Sequence, residues 1–203
     1  MSNREIRAME TIKAVDDEQM IVEGYALRFN TLSNDLGGFV ETISPEALKE
    51  TDLSDVRCLI DHDSSKVLGR TVSETLELNV DDEGLHFRCQ LPNTTYAKDL
   101  YENIRLGNIS QCSFGFILDE NEGDSFEKRD DGLFKRTLRK IKSLFDVSVV
   151  TYPAYNDTSV EPALRSIENI KQAEQEEVRK AQQEEQRKIE LAKAQLELLK
   201  LKK

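Results

Sequence analysis

Polar and apolar residues alternate along much of the N-terminal part of the chain, most clearly between residues 108 and 118. Successive side chains of a β-strand point to opposite faces, so this pattern predicts a strand whose apolar face packs into a core. The other face presents the hydroxyl of Ser113 beside Gly115, which lacks a side chain and leaves room for another chain to approach closely. The apolar face consists of Ser110, Cys112, Phe114, Phe116 and Leu118.

The same alternation predicts seven further strands, and helical spacing predicts a helix at 95–106 that Thr95 caps. A second, short helix is expected at Ser44, with Pro45 at its first position. The polar segment 119–132 is expected to form a loop or the end of a hairpin. Many strands and few helices are typical of an α+β protein built on a mostly antiparallel β-barrel or closed sheet. The further strands are expected at about 10–15, 19–29, 55–60, 66–80, 84–91, 133–142 and 144–151.

The pattern changes near Pro162, which divides the chain into a strand-rich domain over 1–162 and a charged tail over 163–203. The tail contains no Gly or Pro, which favours one long helix. Its last two heptads carry an apolar seam with coiled-coil spacing, whereas Gln182 and Glu185 occupy the equivalent positions upstream. Both a solvated helix and a helix that docks or self-associates fit this pattern. The seam consists of Ile189, Ala192, Leu196 and Leu199.

Charge also separates the two parts of this 203-residue chain, whose formal net charge is −11. The tail holds 10 Lys/Arg and 8 Asp/Glu, a net charge of +2, which leaves 18 and 31, or −13, for the rest. So acidic a domain is a poor binder of nucleic acid. Its basic residues between 128 and 140 are therefore expected on an exposed hairpin face. The sequence contains no apolar run of about 18 residues, so no membrane span is expected, and no apolar signal core, so export is not expected.

Three cysteines lie in apolar, strand-like segments at positions 58, 89 and 112. Their number is odd, and their spacing does not match that of a zinc site. We therefore expect Cys58, Cys89 and Cys112 to be buried, reduced thiols, and the sequence indicates no metal or other cofactor.

A serine hydroxyl on a rigid strand can act as a nucleophile when a base and an orienting acid lie within reach. The base candidate is His62, at the polar end of an apolar run, because an imidazole titrates at about pH 6.5. The acid candidate is Asp146, a carboxylate inside an apolar strand, which is costly to desolvate unless a group such as a histidine N–H pairs with it. The spacing of these residues alone does not distinguish a triad from ordinary surface side chains.

Other assignments of the polar residues remain open. His86 lies in an alternating strand and is either a structural histidine or a further catalytic one. Glu41 is a second acid candidate, in a segment expected to be a loop. Asp61 and Asp63 flank His62, where they either solvate the turn and favour the protonated imidazole or contribute to a metal site.

Four sequence blocks stand out between residues 24 and 154. They are GYALRFN at 24–30 with GGFVETISPEAL at 37–48, LIDHD at 59–63 with LGR at 68–70, RLGNISQCSFGF at 105–116, and FDVSVVTYPA at 145–154. In this order they resemble the prohead (procapsid maturation) protease family of tailed bacteriophages. The catalytic histidine and serine of that family match His62 and Ser113. Its third member is the acidic residue before VSVVT, which implies Asp146, although many relatives carry Glu there.

The resemblance implies a fold like that of the herpesvirus assembly protease, a barrel ringed by helices. It also implies a serine endopeptidase in which His62 takes the proton of Ser113 and Asp146 orients the imidazole, without a cofactor. The oxyanion would be stabilised by main-chain N–H groups near 156–158 or by Arg70. The alternative function is a catalytically inactive capsid-assembly scaffold with an interaction helix.

The resemblance further implies partners and a location. The substrates would be the N-terminal scaffolding segment of the major capsid protein, a separate scaffold protein and the protease itself. These would meet inside the assembling procapsid in the host cytoplasm, with no membrane and no specific nucleic acid involved. The C-terminal helix would recruit the chain to the scaffold or join copies of the chain as a homo-oligomer.

Overall fold

The computed structural model describes residues 4–10, 12–152 and 157–200, and within these ranges the chain forms strands, two α-helices and one short 3-10 helix. The α-helices are α1 (Thr95–Arg105) and α2 (Asp157–Lys200), and the 3-10 helix is Pro45–Leu48. The strands are β1 (Arg4–Glu10), β2 (Ile12–Asp16), β3 (Ile21–Arg28), β4 (Phe39–Ile43), β5 (Arg57–Ile60), β6 (Asp63–Arg70), β7 (Leu76–Val80), β8 (Gly84–Gln90), β9 (Gln111–Leu118), β10 (Asp124–Lys128), β11 (Phe134–Leu138) and β12 (Ile141–Val150).

The strands form three sheets. The largest has the order β1-β9-β12-β5-β6 and is antiparallel except between β12 and β5. A second sheet, β2-β3-β8-β7, is antiparallel throughout. The third has the order β10-β11-β4, with β11 and β4 parallel. The α+β class and the dominance of antiparallel strands are confirmed. The described strands do not close into a single barrel, so the barrel remains a prediction.

One apolar core lies against the central strands of the largest sheet. Cys112, Phe114 and Phe116 of β9 are fully buried, as the alternation predicts. The rings of Phe114 and Phe116 stack with their centroids 5.1 Å apart. Burial of each large apolar side chain contributes about 1.5–3 kcal/mol relative to its exposure to water. This packing fixes which face of β9 is buried in the core, and therefore the face on which Ser113 lies.

Strands β1, β4 and β10 are not apparent from alternation. All five side chains of β4 are buried, so β4 lacks the one-polar-face pattern by which a half-buried strand is recognised. β10 is polar and lies inside the expected loop at 119–132. The predicted strand 66–80 is instead two strands, β6 and β7, separated by a turn in which Glu74 has a φ of +57°.

The two shorter helices follow their capping signals closely but not completely. The hydroxyl of Ser44 accepts a hydrogen bond of 3.3 Å from the backbone N–H of Glu46, and Pro45 begins the 3-10 helix, as predicted. The N-cap of α1 is Thr94 and not Thr95, and its hydroxyl makes no capping bond. The helix is instead held by its buried apolar face. That face consists of Ala97, Leu100, Tyr101 and Ile104.

By their internal contacts the residues fall into two compact units, Met1–Pro162 and Ala163–Lys203. The long helix α2 begins at Asp157 and includes Pro162, so it starts earlier than the expected tail. No helix in the described part of the chain is long and apolar enough to cross a membrane.

The second unit is a helix with an exposed, charged surface. Glu176 pairs with Lys180 at 3.5 Å, and Glu184 pairs with Lys188 at 3.4 Å, each one turn apart along the helix. Val178 is exposed, and Ile189, the first residue of the predicted seam, is 43% exposed. The side chains of the other seam residues, Ala192, Leu196 and Leu199, lie outside the described residues.

Candidate active site

Ser113 lies in the middle of β9, on the face opposite Cys112 and Phe114. Its neighbours across the sheet are Ala8 on β1 and Ser148 on β12. The residue is fully buried. Ser113 is therefore held on a central strand of the largest sheet, as the alternation predicts, but it is not exposed as that pattern suggested.

His62 is the second central residue of a two-residue turn that joins β5 to β6. Ile60 pairs with Asp63, so only Asp61 and His62 lie between the strands. Their φ values are +48° and +57°, the left-handed conformation that tight hairpin turns require. Residues other than glycine enter this region rarely, and a strained backbone conformation of this kind costs roughly 1–3 kcal/mol per residue.

Hydrogen bonds of Asp61 hold this turn against the end of β12. Its backbone N–H donates to the carbonyl of Val149 at 2.9 Å. Its carboxylate accepts from the backbone N–H of Thr151 at 2.8 Å and from the hydroxyl of Thr151 at 3.2 Å. The strained turn is thus fastened to the strand that carries Asp146, which offsets its backbone cost.

Asp146 reaches the same face as Ser113 through a β-bulge in β12. Leu144 pairs with Phe116 and Asp146 pairs with Gly115, so the register shifts by one inserted residue at Phe145. Regular alternation predicts Phe145 on the opposite face from Asp146. In the structure both side chains lie over Gly115. A Cβ on residue 115 would come within 2.4 Å of the Phe145 ring and 2.6 Å of Asp146 Oδ2.

These three elements bring the predicted hydroxyl, imidazole and carboxylate together. His62 Nδ1 lies 2.6 Å from Asp146 Oδ1, and His62 Nε2 lies 2.8 Å from Ser113 Oγ. A carboxylate only accepts hydrogen bonds when ionised, so Nδ1 carries the proton in the pair with Asp146. In the neutral imidazole Nε2 then has a free lone pair directed at the hydroxyl of Ser113.

Two further groups complete the polar contacts of this site. The hydroxyl of Ser148 donates to Asp146 Oδ1 at 2.7 Å. The carbonyl oxygen of Arg7 on β1 lies 2.8 Å from Ser113 Oγ. The Ser113 hydroxyl has a single proton and thus two competing acceptors, the Arg7 carbonyl and His62 Nε2. When the imidazole is protonated, Nε2 becomes a donor and the serine proton is directed to the carbonyl.

The side chains of the site are shielded from water to different degrees. The side chain of His62 is 16% exposed and that of Asp146 is 6% exposed, whereas Ser113 and Ser148 have no exposed surface. Charges and hydrogen bonds act more strongly where water is scarce. The arrangement can transfer a proton from a serine hydroxyl to an imidazole that a carboxylate stabilises.

A second polar centre, which we call the ionic cluster, lies on β1, β4, β10 and β11. Arg7 Nη2 donates to Glu5 at 2.7 Å and to Glu41 at 2.8 Å. Arg136 donates to Glu5 at 2.7 Å, to Glu41 at 2.9 Å and to Asp124 at 2.7 Å. Burial alone raises the pKa of Glu5, but hydrogen bonding and charge from Arg136 outweigh it and lower that pKa. The carboxylates of Glu5, Glu41 and Asp124 raise the pKa of Arg136, although burial alone would lower it.

The alternative site residues lie elsewhere or have other partners. Glu41 belongs to a buried strand and to the ionic cluster, not to the expected loop. His86 lies on β8, where its ring meets the ring of Tyr25 edge-on at 5.2 Å. The carboxylate of Asp63 accepts from the backbone N–H and the hydroxyl of Ser65 at 2.9 and 2.6 Å. The carboxylate of Asp63 is therefore engaged by Ser65 and not by His62.

Two basic residues, Arg136 and Arg70, pair with carboxylates. Arg136 is 2% exposed and belongs to the ionic cluster, so the expectation of an exposed basic hairpin face is wrong for this residue. Arg70 pairs with Asp55 through bonds of 2.6 and 2.7 Å. The other oxyanion candidate includes residue 156, which lies outside the described residues.

The three cysteines are free of disulfides and buried, as predicted. Burial raises the pKa of Cys112 to about 12, and its thiol donates to the carbonyl of Tyr25 at 3.0 Å. Within the described ranges no group of three or more His, Cys, Asp or Glu side chains is arranged to hold a metal ion. Asp61, His62 and Asp63 each bond to different partners.

Sequence reasoning did not find three contributors to the site: Ser148, the Arg7 carbonyl and the anchoring role of Asp61. A signal for Ser148 was present, because residues two apart in a strand share a face and Ser148 follows Asp146 at that spacing. The Arg7 carbonyl has no sequence signal, since any residue in β1 supplies one.

Comparisons with known proteins give one family match. A family model described as caudovirus prohead serine protease matches residues 5–173. No curated protein matches the chain. Among solved structures, the chain is similar to the bacteriophage T4 capsid assembly protease, gp21, with a TM-score of 0.43 at 10% identity. That alignment covers 72% of this chain and 98% of the T4 chain.

Proposed function

The chain belongs to the caudovirus prohead serine protease family, and from this premise we propose that it is a serine endopeptidase whose catalytic residues are Ser113, His62 and Asp146. The observation that carries the proposal is the continuous set of hydrogen bonds from Ser113 Oγ through the His62 ring to Asp146, with separations of 2.8 and 2.6 Å. Both separations are suitable for proton transfer without a bridging water.

In the proposed reaction, Ser113 Oγ attacks a peptide carbonyl while His62 Nε2 accepts the hydroxyl proton. Asp146 stabilises the imidazolium that forms, because the 2.6 Å bond to Nδ1 then joins opposite charges in a largely dry site. The imidazolium next donates this proton to the leaving amine. A water then enters and attacks the acyl carbon while His62 takes one of its protons. The bond between that carbon and Ser113 Oγ breaks, the imidazolium returns the proton to Oγ, and the second product leaves as a carboxylic acid.

The proposed substrates are proteins of the assembling shell: the N-terminal scaffolding segment of the major capsid protein, a scaffold protein, and this chain itself. The proposed place of action is the interior of the procapsid in the host cytoplasm. Confinement there raises the effective concentration of cleavage sites, so slow chemistry would suffice. We further propose that residues 1–162 carry the protease function within a herpesvirus-protease-like fold, and that 163–203 form a docking or self-association helix.

The main alternative is a catalytically inactive assembly protein with an interaction helix. One observation favours it: Ser113 has no exposed surface, so a peptide carbonyl reaches Oγ only if the covering atoms move. The intact hydrogen bonds among Ser113, His62 and Asp146 favour the protease.

The decisive experiment is co-expression of the chain with its capsid protein, followed by mass spectrometry of the new N-termini. We expect defined new N-termini with the wild-type chain and none with Ser113→Ala. The control is Ser110→Ala, an exposed serine three residues earlier, which should process normally. Circular dichroism would verify that both variants fold. Unchanged processing by a folded Ser113→Ala variant would reject Ser113 as the nucleophile, and absence of processing by the wild type would favour the inactive assembly protein.

A further inference from the structure

We propose that Ser148 and Gly115 are positioning residues that hold the Asp146 carboxylate in the orientation required by His62. This inference rests on the proposed protease function. It assigns to Gly115 a role different from the one its sequence context indicates, because the space above this glycine is filled by the chain's own carboxylate and the ring of Phe145.

Ser148 is placed to act on a single oxygen of the acid. Its hydroxyl donates to Asp146 Oδ1 at 2.7 Å, and the same oxygen bonds His62 Nδ1 at 2.6 Å. Ser148 is fully buried, so water does not readily replace it as a donor. Two donors that converge on one oxygen fix the carboxylate more closely than either bond alone, because rotation of the carboxylate lengthens both.

Gly115 limits the position of the other carboxylate oxygen. A Cβ on residue 115 would lie 2.6 Å from Asp146 Oδ2 and 2.4 Å from the ring of Phe145. Both separations are shorter than van der Waals contact, so a side chain there would displace the ring and the carboxylate. Phe145 is partly exposed, whereas Asp146 is buried and is bonded on its other oxygen. Displacement of Asp146 would stretch its bonds to His62 and Ser148.

Both contacts follow from the bulge at Phe145. Beyond the bulge the register of β12 against β9 is regular, with Asp146 opposite Gly115 and Ser148 opposite Ser113. One inserted residue therefore brings the acid over the glycine, and ordinary alternation adds the serine donor two residues later. The acid, its donor and the nucleophile share one face of two adjacent strands.

The first test is a pair of substitutions at Ser148, compared in a cleavage assay on the sequence mapped by mass spectrometry. Ser148→Ala should lower kcat by roughly 10- to 100-fold, since a hydrogen bond to a charged group is lost. Ser148→Thr keeps a hydroxyl and should recover most of the activity. Ser143→Ala, a partly buried serine on the same strand before the bulge, is the matched control and should be nearly unchanged.

A double-mutant cycle separates positioning from a general structural effect. If Ser148 acts through the acid, Ser148→Ala in an Asp146→Asn background should change kcat by about twofold or less. An equal loss in both backgrounds would overturn the proposal.

A spectroscopic readout keeps the inference testable without catalysis. In a Ser113→Ala background, the proton on His62 Nδ1 should give a far-downfield NMR signal from its bond to Asp146. Adding Ser148→Ala should shift this signal, whereas adding Ser143→Ala should not. An unmoved signal would overturn the role of Ser148 even if Ser113 is the nucleophile, while residual activity of Ser113→Ala would reject the proposed function and leave this result standing.

Gly115 has its own test. Gly115→Ala should lower kcat and shift the same NMR signal. Because the ring clash alone could account for such a loss, the double variant Gly115→Ala with Phe145→Ala removes that clash and retains the one with Asp146. We expect the loss to persist in the double variant. Full recovery of activity and of the NMR signal would show that only the ring had been displaced, and would reject Gly115 as a positioning residue.

Discussion

In the part of the chain that the structure describes, two buried polar centres meet at Arg7, and they are built on opposite principles. In the ionic cluster, the two arginines and the carboxylates satisfy one another through short, mutual bonds. In the candidate active site, a single serine proton has two acceptors, the Arg7 carbonyl and His62 Nε2. The hydrogen bonds of the ionic cluster allow one arrangement, whereas the Ser113 proton of the site can bond to either of two acceptors. We therefore expect reactivity at the candidate active site, where the serine proton has alternative acceptors.

The difference extends to what each centre should contribute. Removing one member of a buried ion pair leaves an uncompensated charge, which is strongly destabilising. Removing the charge of a catalytic carboxylate changes the transition state more than the fold. The comparison therefore predicts that the ionic cluster governs stability and the site governs rate, although the same residue of β1 touches both.

The largest expected effect is on the rate, from Asp146→Asn. Asparagine keeps the shape of the side chain but lacks the charge, and its amide can turn to favour the wrong tautomer of His62. We expect kcat to fall by roughly 10³- to 10⁴-fold, with the urea midpoint of unfolding close to that of the wild type. Activity would be measured on the mapped cleavage sequence. Retention of wild-type activity would break the comparison, because it would leave Asp146 without a catalytic role.

The next effect is on stability, from Arg136→Met. Glu5 and Glu41 would lose a buried partner, and the free energy of unfolding should fall by about 3–5 kcal/mol. The activity of the molecules that remain folded should stay near that of the wild type. Urea denaturation and a cleavage assay on the same preparation measure the two quantities.

The matched control for this variant is Arg88→Met, which breaks a pair between Arg88 and Glu23 whose arginine side chain is 42% exposed. Exposed pairs contribute about 0–1 kcal/mol, so the control should change stability little. Equal destabilisation by both variants would show that burial of the ionic cluster adds nothing.

Sequence predicted the parts of the site that depend on local pattern. Ser113 sits on β9 where alternation places it, and His62 lies at the end of an apolar run that becomes a turn. Asp146 was nominated as a carboxylate inside an apolar strand that needs a partner, and the family resemblance implied the same three residues together. Alternation misplaced Phe145, because a bulge inserts one residue and shifts the side chains beyond it relative to the partner strand.

The ionic cluster was not predictable in the same way. Glu5 and Arg136 read as ordinary polar positions and Glu41 as an acid candidate in a loop, whereas strands distant in sequence bring these residues together in the buried cluster. β4 carries no alternation to mark it as a strand, so Glu41 was expected in a loop. Long-range pairing of this kind has no local signature, which is why the ionic cluster was not predicted, whereas the residues of the candidate active site could be nominated from local pattern and from the family resemblance.

A third prediction concerns the stability that the ionic cluster contributes as the pH is lowered. The pKa of Glu5 is lowered in the folded chain from its ordinary value of 4.5, because the bonds and charge of Arg136 outweigh the effect of burial. The stabilisation from this ionised group is therefore fully present above pH 4.5 and is lost as the pH falls through the lower, folded value. Urea midpoints measured from about pH 6 down to about pH 3.5 should decline.

Two variants sharpen this measurement. In Glu5→Gln the chain should start less stable, and the decline with acid should be shallower because one titrating group is gone. Glu77→Gln, an exposed glutamate on β7, should keep the wild-type slope. The same slope in Glu5→Gln as in the wild type would assign the acid sensitivity to other carboxylates.

The smallest expected effect tests whether the candidate active site also depends on a fixed backbone, in the turn that carries His62. Asp61 holds the left-handed turn of His62 through its bonds to Thr151. Asp61→Gly adopts the turn without backbone strain but loses those bonds, so stability should change by only about 1 kcal/mol while the imidazole loses its fixed position. Asp61→Asn tolerates the left-handed conformation and keeps one acceptor oxygen. We expect kcat to fall by roughly tenfold in Asp61→Gly and less in Asp61→Asn, measured on the mapped cleavage sequence. The reverse order would mean that relief of backbone strain matters more than the anchor to Thr151, and that the movable proton of Ser113 does not require a fixed turn beside it.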